Sequence, residues 1–166
     1  MNAWIAAAAA IGGYLIGSIS FGRLFTALAG RRGGAPAEVS AGIEGSDRRI
    51  VLTTVSATSV SVNVGARWGF LTYLFDVLKV FAPVLLLRLF FPGERYFLLA
   101  ATTGVVGHIW PLWHRFRGGR GVSAIYGGIF AIDWIGVFVA AFGGMFIGMV
   151  VLRDLYFIYY LSLIHI

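Results

Sequence analysis

The chain has 166 residues, a length that fits one domain, and 59% of them are hydrophobic while only 12% are charged. A soluble protein of this size cannot bury so much apolar surface, because its exterior needs more polar residues than this chain supplies, so we identify an integral membrane protein. The absence of cysteine excludes disulfide scaffolds, thiolate metal sites and cysteine nucleophiles. The net charge of +6 favours anionic headgroups or a phosphorylated substrate, and no basic face with interleaved aromatic residues supports nucleic-acid binding.

The first apolar stretch, Ala3 to Leu28, exceeds the about 20 residues that a helix needs to cross a bilayer. We interpret it as a retained anchor, because it lacks the basic start of a signal peptide and is longer than the apolar core of one. Gly17, Ser18 and Gly22 within it fit two interpretations equally well, namely close packing between helices and contact with a substrate.

A polar segment from Ala29 to Arg67 follows and contains five of the chain's arginines. Its stretch from Ser46 to Ser59 is rich in hydroxyl side chains and includes Arg48. Hydroxyls and backbone N–H groups beside an arginine can ligate phosphate, and an ordinary solvated loop accounts for the same composition. Both interpretations of this stretch remain open.

The second predicted span runs from Trp68 to Phe91 and holds Asp76 and Lys79. Each charge costs roughly 2.5–3.5 kcal/mol at mid-bilayer, and a spacing of three residues lets the two side chains pair on one helical face. The pair either packs helices together or borders a polar cavity that opens toward the cytoplasm.

The third predicted span runs from Tyr96 to Trp113, and the short basic loop from His114 to Gly121 follows it. From Val122 to Leu152 the chain is apolar apart from Asp133, where a turn would divide the run into a short and a full span. A last apolar run begins at Leu155 and continues to the final residue, from which we expect a C-terminally truncated fragment.

The arginines are distributed unevenly between the loops. The Ala29–Arg67 and His114–Gly121 loops together hold eight of them, whereas the connection between the second and third spans offers Arg88 and Arg95. The positive-inside rule therefore predicts that both arginine-rich loops face the cytoplasm and that the N-terminus lies outside. Two loops at one membrane face can build one site together.

The strongest local pattern is Gly107-His108-Ile109-Trp110-Pro111 followed by Phe116-Arg117-Gly118-Gly119-Arg120-Gly121-Val122. Glycines let backbone N–H groups approach an anion closely, and Arg117 and Arg120 offer bidentate donors for phosphate oxygens. A helix that starts near Val122 would direct the positive end of its dipole at the same place. A basic turn that obeys the positive-inside rule is the alternative interpretation.

His108 lies at the cytoplasmic end of the third predicted span, where a structural and a functional histidine are about equally expected. No carboxylate at ligand spacing accompanies the chain's three histidines, so we expect no metal site. The sequence also lacks a nucleophile elbow, a Walker loop, a zincin motif and a dinucleotide-binding glycine motif, which argues against those enzyme classes.

From Gly17 to about Arg153, these segments in this order resemble the bacterial acyl-phosphate:glycerol-3-phosphate acyltransferase family. The family's Gly-Ser-Ile-Pro-Phe-Gly appears as Gly17-Ser18-Ile19-Ser20-Phe21-Gly22, and its Asp-x-x-Lys-Gly appears as Asp76-Val77-Leu78-Lys79-Val80. Its Gly-His-x-x-Pro and Phe-Lys-Gly-Gly-Lys-Gly-Val-Ala motifs match a run that contains His108, Pro111 and the residues from Phe116 to Ser123.

The family's first-loop motif is altered in this chain. In the ungapped register, which we prefer, Arg48 falls on the motif's first arginine and Ser56-Ala57-Thr58-Ser59-Val60 falls on Gly-Ala-Thr-Asn-Val. A gapped register that places Ser61 on the motif's serine would require a deletion before the second span. The departures in the ungapped register are Leu52 for Ser, Thr54 for Asn and Val62 for a second Arg.

The resemblance implies an all-α, polytopic transmembrane helical bundle, with about six spans of a seven-span family fold and the N-terminus outside. The fourth span would be Val122–Ile132, the fifth Ile135–Leu152, and the sixth would begin at Leu155. This arrangement places Asp133 outside and Arg153 inside. It implies one acyltransferase domain over residues 1–166, in the bacterial cytoplasmic (inner) membrane, with its active site facing the cytoplasm.

The resemblance also implies transfer of a fatty acyl group from acyl phosphate to the 1-hydroxyl of glycerol 3-phosphate, which yields lysophosphatidic acid and phosphate in phospholipid biosynthesis. The implied partners are these two substrates and membrane lipids, and no cofactor is implied. Because no obvious nucleophile suggests a covalent intermediate, we expect direct transfer. The alternative is a non-catalytic homologue that binds lipid phosphates, or a small-solute transporter, although the paired broken spans of a transporter are not evident.

By the same resemblance we expect His108, Arg120 and Arg48 to be the catalytic residues. Phosphate would lie between the basic loop and an opposing wall formed by Arg48 and neighbouring hydroxyls, and catalysis would rest on positioning and charge stabilisation. His108 would orient the loop or donate a hydrogen bond. The residues expected to bind substrate, or to support its binding, are Ser18, Ser56, Thr58, Ser59, Asp76, Lys79, Arg117, Gly118, Gly119 and Gly121.

Overall fold

The computed structural model describes residues 1–30, 39–42, 49–52, 55–147 and 150. Arg48, the last part of the fifth predicted span, Arg153 and the sixth predicted span lie outside these residues. The contacts divide the chain into two compact units, Met1–Gly128 and Ile129–Ile166. The helices are α1 Ala3–Gly17, α2 Phe21–Leu28, α3 Ala57–Asn63, α4 Ala66–Phe90, α5 Tyr96–Ile109, α6 Val122–Ile132 and α7 Trp134–Phe146.

The described chain is helical apart from one short ribbon in the first loop. Strands β1 (Val39–Gly42) and β2 (Arg49–Leu52) pair antiparallel, with Val39 opposite Leu52. The helical class predicted from the sequence is therefore confirmed, and the ribbon is an addition that the polar composition of the loop did not indicate.

The first predicted span is not one continuous helix. α1 ends at Gly17, and Ser20 adopts an extended backbone with φ −97° and ψ 95° before α2 begins. The interruption leaves the carbonyl of Ile19 available, and Lys79 Nζ of α4 donates to it at 2.6 Å. An unsatisfied carbonyl inside a membrane costs several kcal/mol, so this hydrogen bond stabilises the broken segment.

α1 and α5 run parallel, start beside start and end beside end, with their backbones in close contact. At one end the N-terminal amine of Met1 pairs with Glu94 at 3.1 Å, and at the other the hydroxyl of Tyr14 donates to the carbonyl of Trp110 at 3.0 Å. A Cβ added at Gly17 would overlap the backbone of Gly104. This contact supports the interpretation of the first-span glycines as small residues that permit close helix packing.

The third predicted span is shorter than expected. α5 ends at Ile109, since Pro111 disfavours a helical conformation for the residue before it, and Trp110 takes φ −121° and ψ 70°. A 3₁₀ turn covers Leu112–His114, and α6 begins at Val122, as the sequence predicts.

Two stretches of the described chain are long and apolar enough to cross a membrane. They are residues 3–28, which include the break after α1, with mean hydropathy 1.6, and α4, with mean hydropathy 1.9. Large apolar side chains such as Phe70, Leu86 and Leu89 remain exposed along α4. Such side chains are expected on helices that face lipid.

Candidate active site

A small cavity lies where α1 gives way to α2 and where α5 ends. It joins the α1–α2 break, the segment before α3, the middle of α4 and the loop after α5. The first loop, through Val55, and the basic loop, through Gly119, therefore both contribute to one cavity. The lining residues are Gly17, Ser18, Ile19, Ser20, Val55, Asp76, Lys79, His108, Pro111 and Gly119.

Asp76 and Lys79 form the ion pair that their spacing predicts. Lys79 Nζ lies 2.8 Å from Asp76 Oδ1, and the two side chains are only 3% and 6% exposed, for lysine and aspartate respectively. Lys79 also donates to the carbonyl of Ile19, so the pair links α4 to the α1–α2 break. The pair therefore packs helices together, as one interpretation of the sequence holds, and it also lines the cavity.

His108 occupies the wall between α4 and the basic loop. Its Nδ1 lies 3.6 Å from Asp76 Oδ1, which is longer than a hydrogen bond, and has no hydrogen-bond partner. Its carbonyl accepts a hydrogen bond from the N–H of Gly119 at 3.1 Å, and a Cβ at Gly119 would overlap its imidazole. The backbone and imidazole of His108 thus both lie against the basic loop at Gly119.

The basic loop folds back on the end of α5 through residues with positive φ. Arg115 has φ 52°, Phe116 has φ 60° and Gly121 has φ 89°. The N–H of Gly118 donates to the carbonyl of Ile109 at 3.2 Å. In this conformation the N–H groups of both glycines at 118 and 119 donate to carbonyls at the end of α5, and the side chains of Arg117 and Arg120 are exposed.

The hydroxyl-rich segment has a structural role in the described chain. Ser56 caps α3 by accepting from the N–H of Ser59 at 3.2 Å, while the hydroxyl of Ser59 accepts from the N–H of Ser56 at 2.9 Å. Thr58 is exposed, and none of these three residues lines the cavity, whereas Val55 does. A seven-residue helix needs such capping because most of its N–H groups have no partner within the helix.

Ser18 is fully buried at the α1–α2 break. Its hydroxyl donates to the carbonyl of Tyr14 at 2.8 Å and accepts from the N–H of Leu112 at 3.3 Å, so it ties the end of α1 to the loop after α5. Ser20 also lines the cavity and makes no capping bond to α2. The sequence analysis missed Ser20. The replacement of the family's proline by serine at this position could have indicated it.

Arg23 is a second residue that the sequence analysis missed. Its Nη2 donates to the carbonyl of Arg117 at 3.3 Å, and its Nε is buried without a partner. Arg23 is a charged residue in an apolar stretch, and the cost of such a charge, which identified Asp76 and Lys79, could have identified it as well.

Two cations lie near His114 at this end of the cavity. Burial lowers the pKa of His114, and the nearby charges of Arg23 and Lys79 lower that pKa further. Among the described residues, no group of three side chains could hold a metal ion.

The comparisons with known proteins agree on one family. The model of the family described as glycerol-3-phosphate acyltransferase matches residues 7–164. A glycerol-3-phosphate acyltransferase of Gluconobacter oxydans is 40% identical over 124 residues, which cover 73% of this chain and 52% of the relative. One of Aquifex aeolicus is 32% identical over 138 residues, which cover 76% of this chain and 64% of the relative.

The fold matches crystal structures of PlsY (YgiH), an integral membrane glycerol 3-phosphate acyltransferase. The lysophosphatidic acid form gives a TM-score of 0.64 at 24% identity, over 96% of this chain and 83% of that one. The glycerol 3-phosphate form gives a TM-score of 0.64 at 22% identity, over 96% of this chain and 84% of that one. The chain spans between about half and two thirds of the length of the curated relatives above. Because the family model matches nearly all of its residues, the chain belongs to the glycerol-3-phosphate acyltransferase family.

Proposed function

We propose that the protein transfers a fatty acyl group from acyl phosphate to the 1-hydroxyl of glycerol 3-phosphate, producing lysophosphatidic acid and phosphate for phospholipid synthesis. Membership of the family supports this activity, and the relatives are named for glycerol 3-phosphate as the acyl acceptor. The observation that carries the proposal is a small polar cavity, lined by Asp76, Lys79 and His108, beside a loop with exposed arginines and among helices with exposed apolar side chains.

The two substrates need different surroundings, and the fold offers both. Glycerol 3-phosphate is a small dianion, which the guanidinium groups of Arg117 and Arg120 suit because they donate in pairs to phosphate oxygens. An acyl donor with a long alkyl chain suits the apolar surfaces between helices. Acyl phosphate as donor adds a second phosphate, whose charge as a leaving group the same cations would stabilise.

Catalysis in this proposal rests on positioning rather than on a covalent intermediate. Arg120 and Arg48 stabilise the departing phosphate, and His108 holds the basic loop in place beside the cavity. Asp76 and Lys79 support the cavity wall from α4. The loop arginines then face the substrate, while Ser18 ties the loop to α1 and the glycines at 118, 119 and 121 shape the loop.

We also propose that the N-terminus lies outside and that the cavity opens to the cytoplasm of a bacterial inner membrane. The support is the concentration of arginines in the two loops that contribute to the cavity. The chain as a whole would then act as one acyltransferase domain.

The test is an acyl-transfer assay on the purified protein, in the longest form that its gene encodes. Labelled glycerol 3-phosphate is supplied with acyl phosphate, acyl-CoA or acyl carrier protein, and lysophosphatidic acid is measured. We expect product with acyl phosphate, and Arg120→Ala should lower kcat/KM at least about tenfold, since it removes a charge-assisted contact. Arg95→Ala, an exposed arginine at the start of α5, is the matched control. Phosphate binding without product from any donor would instead support the non-catalytic alternative.

A further inference from the structure

The side chain of Arg23 reaches from α2 to the basic loop with most of its donors unused. A guanidinium carries five N–H donors, and the described contacts of Arg23 use one of them, on the carbonyl of Arg117 at 3.3 Å. Its Nε is buried and has no hydrogen-bond partner. A buried donor without a partner is costly, and the remaining donors of the two Nη groups are the ones that a ligand could satisfy.

No carboxylate neutralises this guanidinium within the described part of the chain. Asp76 pairs with Lys79, and Glu94 pairs with the amine of Met1 at the opposite end of α1. Among the described residues, Arg23 therefore adds a positive charge with no carboxylate partner beside a loop that already carries three arginines. A dianion is the ligand that offsets such a charge and offers acceptors for the unused donors.

We propose that Arg23 is a phosphate ligand contributed by the first apolar stretch, and that it binds a phosphate monoester together with the arginines of the basic loop. The identity of the monoester rests on the proposed function, which supplies two sources, the acceptor glycerol 3-phosphate and the donor acyl phosphate. The hydrogen bond to Arg117 places the guanidinium next to the loop that the phosphate would meet.

The neighbouring charges agree with this assignment. His114, in the loop, lies near Arg23 of α2 and Lys79 of α4. Both of these cations disfavour the protonation of His114. A bound phosphate would reverse this effect, because its negative charge would raise the pKa of His114. The response of His114 to phosphate therefore reports on the site without any catalytic turnover.

The main test compares Arg23→Gln and Arg23→Lys with Arg95→Gln as the matched control. Binding of inorganic phosphate, glycerol 3-phosphate and a non-transferable acyl phosphonate is measured by calorimetry on the purified protein. We expect about tenfold weaker binding of phosphate for Arg23→Gln, a smaller loss for Arg23→Lys, which keeps the charge, and no change for Arg95→Gln. A loss confined to glycerol 3-phosphate or to the phosphonate assigns the phosphate to acceptor or donor.

A purely structural role predicts a different pattern. If Arg23 only fastens the loop, its variants lower the unfolding temperature but keep the wild-type dissociation constants, and that result overturns the proposal. Should Arg23→Gln fail to fold, Arg23→Lys and the NMR titration of His114 with and without phosphate decide the matter. Wild-type protein that binds no phosphate also overturns it, whereas phosphate binding without acyl transfer leaves it standing and refutes only the proposed function.

Discussion

Lys79 donates a hydrogen bond to the carbonyl oxygen of Ile19 across 2.6 Å, so a charge on α4 completes the backbone between α1 and α2. The same ammonium lies 2.8 Å from Asp76. One side chain thus satisfies a carboxylate and an interrupted helix at once. The break, the ion pair and the cavity form a single structural unit.

Replacing Lys79 should therefore have two separable effects. Lys79→Met leaves a buried carboxylate without its partner, which typically costs about 3–5 kcal/mol of unfolding free energy. The double variant Asp76→Leu/Lys79→Met should recover most of this loss but not all, because the carbonyl of Ile19 still lacks a donor. Denaturant unfolding in detergent measures both. Full recovery by the double variant would show that the hydrogen bond to Ile19 contributes nothing.

Gly119→Ala should disrupt the basic loop. The added methyl group would overlap the imidazole of His108, so either the ring or the loop must move. We expect acyl transfer to fall by about 100-fold, the scale of a small misplacement of catalytic groups. Gly93→Ala is the control, since nothing lies within 4 Å of a Cβ at that position. Equal activities of the two variants would contradict the contact between loop and histidine.

The α1–α5 contact predicts opposite outcomes for two glycines of one helix. Gly17→Ala pushes a methyl group into the backbone of Gly104 and should destabilise by about 1–3 kcal/mol, as overpacking does. Gly12→Ala meets nothing within 4 Å and should stabilise by up to about 1 kcal/mol through its higher helix propensity. Thermal unfolding of the two purified variants compares them directly. A larger loss at Gly12 than at Gly17 would contradict the observed packing.

Stability should fall on acidification because of His114. Burial, Arg23 and Lys79 lower its pKa below the usual value of 6.5. The unfolded chain then binds more protons than the folded one between the two pKa values, so the unfolding free energy decreases as the pH falls through about 6.5. His114→Gln should flatten this part of the pH profile of the unfolding temperature. An unchanged profile would show that His114 titrates normally in the folded protein.

The sequence predicted the parts of the site that depend on local rules. The pairing of Asp76 with Lys79 follows from helical spacing and the cost of charges in an apolar span, and the start of α6 follows from the glycines before Val122. The position of His108 beside the loop came from the resemblance. These features were recoverable because each depends on short-range spacing.

The remaining features depend on contacts between distant segments. Hydropathy cannot detect the break after Gly17, since Ser18, Ile19 and Ser20 contain no proline and no charge. The break is stabilised by Lys79, which lies 60 positions after Ile19 in the sequence. Likewise, the hydroxyls of Ser56 and Ser59 were expected to bind phosphate, whereas in the structure both cap α3.

The contact between Gly17 and Gly104 also restricts how a hydrocarbon tail can approach the cavity. Where two backbones touch, no gap remains between α1 and α5 for an alkyl chain to pass. The α1–α5 contact is therefore closed to an alkyl chain at this depth. In the proposed reaction, the acyl chain would have to reach the cavity between other helices, and the acylated product would have to leave between other helices too.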